Sequence, residues 1–361
     1  MCSSTVEDQL SLSDIIMPYV YTRVILVYDY LIEDLEQSFN EYLHRFCPQA
    51  FKRIINDDCE RTRGHIVDYE NGQKRQVFSR ESRSDESITK YLSDDSLNDD
   101  VFPCGMIPTD VSPLIFMHQI SLQDGSLLAI GCHHYLSDGH GLSILGLRFS
   151  QWLKDKHSLA FDHDRSKLQQ LASLSSIRYE HSEMSLAIPI IPGLYKWPLL
   201  DTVVKRYTKN YLFDRLNVTN NNGILSMNDV LMGWLTKIIS QIRQVSRQTT
   251  VKIGMALNGR TLLPNIDVNY FALAFIDKHH RSSLIHLGWQ PIGGNDLSFS
   301  NWTRFPIYKC DFGQGRAKNF KFSSMECDGL IFILPTMTDD EIELHITLQA
   351  EHAKLLLSKL V

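Results

Sequence analysis

A mixed α/β protein in two parts is what the sequence predicts, and three observations predict it. The chain has 361 residues, and at about 150 residues per domain that is two domains or one large one. Each half interleaves strand-like and helix-like segments in similar proportion. Between the halves, Asp155 to Leu200 loses periodicity and carries Pro189, Pro192 and Pro198, which suits a crossover between domains. The expected division is residues 1–175, a crossover over 176–205, and residues 206–361.

Tyr19 to Tyr30 is rich in β-branched and aromatic residues and reads as a strand. Leu31 to Phe46 follows with Leu31, Leu35, Phe39, Leu43 and Phe46 at helical spacing, and Glu33, Asp34 and Glu36 in its first turns favour the helix dipole. Asp57 to Asp100 is polar and heavily charged, consistent with one or two short strands and exposed loops. Leu114–Leu122 and Leu127–His134 are strands joined by the turn residues Gln123-Asp124-Gly125-Ser126. Past Gly139 and Gly141, the residues Leu142, Leu145, Phe149, Trp152 and Leu153 give one face of a helix.

In the second half, Ser226-Met227-Asn228-Asp229 is a capping-box signature. The helix it opens puts Val230, Leu231, Trp234, Leu235, Ile238, Ile239 and Ile242 on one face. Val251–Leu257 and Leu330–Leu334 read as strands. Ile342, Leu344, Ile346 and Leu348 alternate with Glu343, His345 and Thr347 in another, and Glu351–Leu360 closes as a helix.

Composition excludes several classes. Hydrophobic residues are 43% and charged residues 22%, ordinary globular usage. With 36 basic against 42 acidic residues the net charge is −6, which argues against a nucleic-acid binder. No apolar run approaches the ~18 residues a membrane span needs. The polar, acidic start from Met1 to Ile16 does not resemble a signal peptide. The seven cysteines are odd in number, scattered and without a CxxC pair, so reduced thiols in the cytoplasm are expected. The glycosylation-type triplets Asn217-Val218-Thr219 and Asn301-Trp302-Thr303 are then chance matches.

Chemistry concentrates at Gly131-Cys132-His133-His134-Tyr135-Leu136-Ser137-Asp138-Gly139-His140-Gly141. An apolar strand ends in two histidines, and a glycine-flanked turn leads to a helix. Histidine titrates near neutrality and suits general-base work. Neighbouring strand residues point to opposite faces, so His133 and His134 are expected to have different tasks. No further ligand cluster supports a metal at His134 and Asp138. His140, His345 and the pair His279-His280 read as structural or solvated.

At these residues the chain resembles the BAHD acyltransferases, within the wider superfamily of chloramphenicol acetyltransferase and nonribosomal-peptide condensation domains. The shared signature His-x-x-x-Asp-Gly falls on His134, Asp138 and Gly139. Asp311-Phe312-Gly313-Gln314-Gly315 resembles the family's Asp-Phe-Gly-Trp-Gly box, which condensation domains lack. Protein kinases share its first three letters, but the other kinase motifs are missing. Weaker matches run collinearly: Leu10–Asp14 with the leader, Leu35–Pro48 with the first helix, Ser226–Trp234 with the start of the second half. Asn258-Gly259-Arg260, Asn269-Tyr270-Phe271 and Ser300-Asn301-Trp302 follow in the family's order.

The resemblance implies two chloramphenicol-acetyltransferase-like domains, each a mixed sheet flanked by helices, with a tunnel between them. It implies His134 as the general base of acyl transfer from acyl-CoA, a co-substrate, to a hydroxyl or amine of a small-molecule acceptor. No permanently bound cofactor, metal, nucleic-acid or membrane partner is expected of this cytoplasmic monomer. The indole N–H of Trp302, or Ser300, is the candidate oxyanion donor. Asp138, Gly139, Asp311, Gly313 and Arg260 would be structural, with Arg260 paired to Asp311.

Departures from the family motivate an alternative, a catalytically impaired member kept as a binding or scaffold protein. Gln314 replaces the box tryptophan, Phe271-Ala272-Leu273-Ala274 replaces Phe-Gly-Asn-Ala, and only 41 positions separate Tyr270 from Asp311. The short stretch from Ala274 to Ser300 would thin the wall near the donor. A carrier-dependent condensation enzyme is disfavoured by Asp311-Phe312-Gly313, and Gly141-Leu142-Ser143 lacks the elbow of a serine hydrolase.

Overall fold

In a computed structural model of the chain, the residues described are 10, 14, 19–56, 64–69, 75–93, 99–157, 160–164, 167, 199–215, 226–256, 258–261, 266–267, 270–271, 294–323 and 327–360. The first half contributes β1 (Tyr21–Tyr28), α1 (Glu36–Phe46), β2 (Arg53–Asn56), β3 (Gly64–Val67), β4 (Phe78–Arg83), α2 (Ile88–Ser93), β5 (Ile115–Leu122), β6 (Ser126–His133) and α3 (Gly139–Asp155). The second contributes β7 (Leu200–Thr208), α4 (Lys209–Arg215), α5 (Met227–Ile242), β8 (Ile253–Ala256), β9 (Leu297–Asn301), β10 (Asn319–Phe322), β11 (Leu330–Pro335), β12 (Glu341–Gln349) and α6 (Ala350–Lys359).

Two five-stranded mixed sheets carry the fold, ordered β10-β1-β6-β5-β4 and β7-β12-β11-β9-β8, beside a β2-β3 ribbon. Within them, β4–β5, β9–β11 and β8–β9 pair in parallel and the remaining neighbours antiparallel. Strands β1 and β6 are buried at all eight positions, which is why both read as unbroken apolar runs rather than alternating ones. On one face lie Phe39, Tyr42 and Leu43 of α1 with Leu145, Phe149 and Trp152 of α3. On the other lie Ile88 and Tyr91 of α2 with Phe102. Fully burying each such side chain is worth roughly 1.5–3 kcal/mol.

The structure departs from the sequence expectation at four places. The first helix begins at Glu36, five residues late, because Ile32 and Leu35 donate their N–H groups to Ser126 Oγ and Gln119 Oε1 and so stay out of the helix. Leu200, inside the expected crossover, already starts β7. That edge strand buries only Val203 and Tyr207, too few apolar positions to register as a strand. The short β10, Asn-Phe-Lys-Phe, leaves the second half and pairs with β1 of the first sheet. In β12 the alternating polar residues Glu343, His345 and Thr347 are buried as well as the apolar ones. Glu343 accepts from Arg206 at 2.5 Å and meets His345 Nε2 at 2.7 Å, while Phe322 of β10 stands over His345 at 6.4 Å. This face abuts the strand lent to the first sheet instead of water.

The five described cysteines are free thiols. Among the described residues no helix is long and apolar enough to cross a membrane. Asn301 is no glycan acceptor by geometry: its amide bonds Asn228 and Thr303, and Trp302 beside it is buried. Asn217-Val218-Thr219, Asn269, His279-His280, residues 176–198 and 274–293 fall outside the described residues.

Candidate active site

The antiparallel register sets Tyr21 of β1 opposite His133, the last residue of β6. The chain then turns: Leu136 and Ser137 both donate to the His133 carbonyl, and His134 N–H donates to the Val20 carbonyl. Asp138, in extended backbone, caps α3 by accepting the Gly141 N–H at 2.8 Å. Two glycines are steric necessities in this turn. A Cβ on Gly139 would stand 2.2 Å from the Trp302 ring, and one on Gly141 would stand 1.9 Å from Ser137 Oγ.

The two histidines separate, His133 as the last residue of β6 and His134 in the turn that follows. His133 is buried among Tyr19, Tyr21 and Tyr135, whose rings meet it edge-on at 4.6, 5.9 and 5.2 Å. Its Nδ1 accepts the Tyr135 N–H at 3.1 Å, so a neutral ring carries its proton on Nε2. Burial pushes its pKa down to about 3, with His134 adding to the effect. His134 is half-buried. Burial lowers its pKa, against the opposing pull of its own and Ser137's carbonyls and the charges of Asp138 and Asp14. Its Nδ1 is buried without a full hydrogen bond among the described residues. His134 is therefore a neutral imidazole at pH 7, the protonation state a general base requires.

Asp138 is committed elsewhere. Arg260 grips it in a bidentate pair, Nη1–Oδ2 at 2.7 Å and Nη2–Oδ1 at 2.9 Å, while Arg260 Nε donates to the Tyr270 carbonyl. The guanidinium is 3% exposed. Burial raises the Asp138 carboxyl, but Arg260 and the Gly141 N–H outweigh it and hold the acid below its usual value. This corrects the expected pairing of Arg260 with Asp311. Asp311 instead meets Lys154 of α3 at 2.6 Å and accepts the N–H groups of Gly313 and Gly315 at 3.0 and 2.9 Å. Both glycines have positive φ, +141° and +125°, which side-chain-bearing residues rarely adopt. Gln314, the family's tryptophan position, is exposed, so that exchange takes nothing from the core. Phe312 plugs in beside Tyr28 and Phe149.

Trp302 and Ser300 reach this turn from the second sheet. Trp302 is buried among Phe305, Phe320, Phe322 and Phe332 and covers Gly139. Its indole N–H donates to Ser300 Oγ at 3.0 Å. That leaves the Ser300 hydroxyl hydrogen, not the indole N–H, free to donate. His140, read as structural, packs edge-on against Phe305 at 5.3 Å. Strand β9, unrecognised in the sequence, carries Ser300 and ends one residue before Trp302, which brings the indole N–H to the Ser300 hydroxyl.

Two mixed sheets joined by an exchanged strand, with a histidine at the end of β6, make a fold of the chloramphenicol-acetyltransferase type. No family model matches the chain. It is 22% identical to anthranilate N-benzoyltransferase protein 1 of Dianthus caryophyllus over 410 residues, 93% of this chain and 90% of that one. It is 38% identical to shikimate O-hydroxycinnamoyltransferase of Nicotiana tabacum over 97 residues, 22% of that enzyme's length. Among solved structures it is similar to F. graminearum TRI101 complexed with coenzyme A and deoxynivalenol, with TM-score 0.76, 14% identity and 97% of both chains covered. Vinorine synthase matches with TM-score 0.71 and 15% identity over 99% of this chain and 94% of that one. These likenesses are to acyltransferases, and at 14–15% identity the solved structures share the fold of this chain.

Proposed function

We propose that this protein moves an acyl group from acyl-CoA to a hydroxyl or amine of a small-molecule acceptor, with His134 as general base. The observation that carries the reading is the division of labour in the turn: Asp138 is neutralised by Arg260, and His134 is left neutral and half-buried. His134 takes the acceptor's proton as its oxygen or nitrogen attacks the thioester carbonyl. The carbonyl oxygen becomes an oxyanion, to which Ser300 Oγ–H donates while Trp302 N–H polarises that hydroxyl. Collapse breaks the carbon–sulfur bond, and the proton held on His134 goes to the CoA thiolate. The base contributes typically ~10²–10⁴-fold and one oxyanion donor ~10²–10³-fold.

The impaired-scaffold reading rested on the short stretch 274–300 and on Gln314; the intact base-bearing turn favours the enzyme. Neighbouring structures hold coenzyme A with deoxynivalenol or T-2, and relatives act on shikimate and anthranilate, so these acceptors head a screen. Hydroxycinnamoyl-CoA and benzoyl-CoA are offered against them with free-thiol detection of CoA. Thiol release that needs acceptor and is lost in His134→Ala supports the proposal. Acyl-CoA binding by calorimetry without turnover for any pair would leave the scaffold reading standing instead.

A further inference from the structure

Away from the turn, β4 and β5 bring together a second set of chemically competent side chains. Their parallel register sets Ser79 beside His118, and Ser79 Oγ lies 2.8 Å from His118 Nδ1. Two residues on, and so on the same face, Glu81 Oε2 lies 3.5 Å from His118 Nε2. Arg83, two further along, holds Glu81 through both carboxylate oxygens at 2.8 and 3.1 Å. Arg83 is itself fixed by Tyr91 Oη and by the side chain and carbonyl of Asp100. His118 is 7% exposed, while Ser79 is half-buried and Glu81 exposed.

We propose that Ser79, His118 and Glu81 form a second nucleophilic site, which takes the acyl group of an activated aryl ester onto the Ser79 hydroxyl. Glu81 selects the tautomer. With the ring proton on Nε2, the N–H faces the carboxylate and Nδ1 is left to accept the Ser79 proton. The opposite tautomer would aim a lone pair at the negative charge. Burial lowers the His118 pKa, with Glu81 and the Ser79 carbonyl opposing, so the ring is a free base at pH 7. The order nucleophile, base, orienting acid is the one nucleophilic catalysis uses.

The backbone supplies an oxyanion donor. β4 is the outer strand of its sheet, and Met117 N–H donates to the Val77 carbonyl. In a parallel ladder that bond turns the Ser79 N–H inward and, among the described residues, leaves the Arg80 N–H at the outer edge, one residue along from the nucleophile. In the step proposed, Ser79 Oγ bonds the ester carbonyl carbon and its proton passes to His118 Nδ1. The imidazolium is then balanced by Glu81. Collapse of the oxyanion breaks the carbon–oxygen bond to p-nitrophenolate, and His118 returns its proton to solvent or to the leaving phenolate. The product is O-acetyl-Ser79.

The test treats the full chain, and separately His134→Ala, with p-nitrophenyl acetate and maps acetylation by peptide mass spectrometry. Acetyl-Ser79 is expected in both chains. His118→Gln is expected to slow its formation ~10²-fold, by loss of a positioned base. Glu81→Gln, which acts through His118, is expected to slow it at least ~10-fold through loss of tautomer selection and to move the acidic limb of its pH profile to lower pH. Unmodified Ser79 in the folded, unsubstituted chain overturns the proposal. So does acetylation of Ser79 at an unchanged rate in both variants, which would make it an ordinary accessible hydroxyl.

Discussion

Replacing Asp138 with alanine separates an acid that holds the site from one that acts in it. The substitution strips the bidentate partner from Arg260, which is 3% exposed and cannot recover hydration without local unfolding. Truncating one member of a buried pair costs ~3–5 kcal/mol, and losing the cap on Gly141 N–H adds about 1 kcal/mol. The sum, about 4–6 kcal/mol, is a large share of the roughly 5–15 kcal/mol by which proteins are stable. Urea midpoints of the native chain, Asp138→Ala, Arg260→Met and the double variant measure it. Both single variants should unfold at much lower urea. The double variant should be less destabilised than the sum of the two, because no buried charge is left alone. The depressed Asp138 pKa also fixes the sign with pH. The pair's stabilisation is full above the ordinary carboxylate pKa of about 3.9 and lost as pH falls through the lower folded value. An Asp138→Ala protein with an unchanged midpoint but no turnover would refute a structural role and make Asp138 a chemical participant.

His134→Ala should lower acyl transfer at least ~10²-fold at an unchanged far-UV spectrum. In the native enzyme the acidic limb of the rate profile should lie below the ordinary histidine pKa of about 6.5, since burial lowers the His134 value; near-normal CoA release from His134→Ala sinks the base assignment. His133 takes its proton near pH 3 folded but near 6.5 unfolded, so acidification below 6.5 favours the unfolded chain by about 1.4 kcal/mol per pH unit. His133→Asn keeps an acceptor for the Tyr135 N–H, and its urea midpoint should fall less steeply from pH 6.5 to 4.5; parallel curves for the two proteins would contradict this. Asp311→Ala should cost about 1–3 kcal/mol, the net worth of two hydrogen bonds from turn N–H groups, whereas Lys154→Ala, at a 56% exposed side chain, should cost no more than about 1 kcal/mol; equal midpoints for the two would put the weight on the ion pair.

Much of this architecture was legible because the first half is coded locally. β1, β5, β6, α1 and α3 are long apolar or amphipathic segments with turn and cap residues at their ends. That His133 and His134 would have different surroundings was expected from strand parity, although His134 lies just past the strand. What escaped was non-local. β7 and β10 are edge strands with few apolar residues, and nothing within Asn-Phe-Lys-Phe says that it joins a strand almost 300 positions earlier. The polar side of β12 looked like a wet face because alternation cannot distinguish water from another subdomain's polar edge. Arg260 was assigned the wrong acid for the same reason. Both Asp138 and Asp311 sit beside glycines in turns, and spacing cannot decide which one a distant guanidinium reaches.

That Arg260 reaches Asp138 ties the chemistry to the joining of the halves. The base-bearing turn belongs to the first half, but both forces that shape it come from the second. Arg260 neutralises the cap of α3, and Trp302 lies on Gly139 so closely that no side chain fits between. The exchanged β10 then binds the sheet that ends in His133 to the segment that carries Trp302, through Phe320 and Phe322 against the indole. Without the guanidinium, Asp138 would be a buried carboxylate next to His134, raising the histidine's pKa toward the charged form. With Arg260 seated, that charge is paired, and burial outweighs the remaining pull of Asp138 and Asp14 on His134. Closing the two halves therefore pairs the Asp138 carboxylate, one of the two negative charges that favour the charged form of His134.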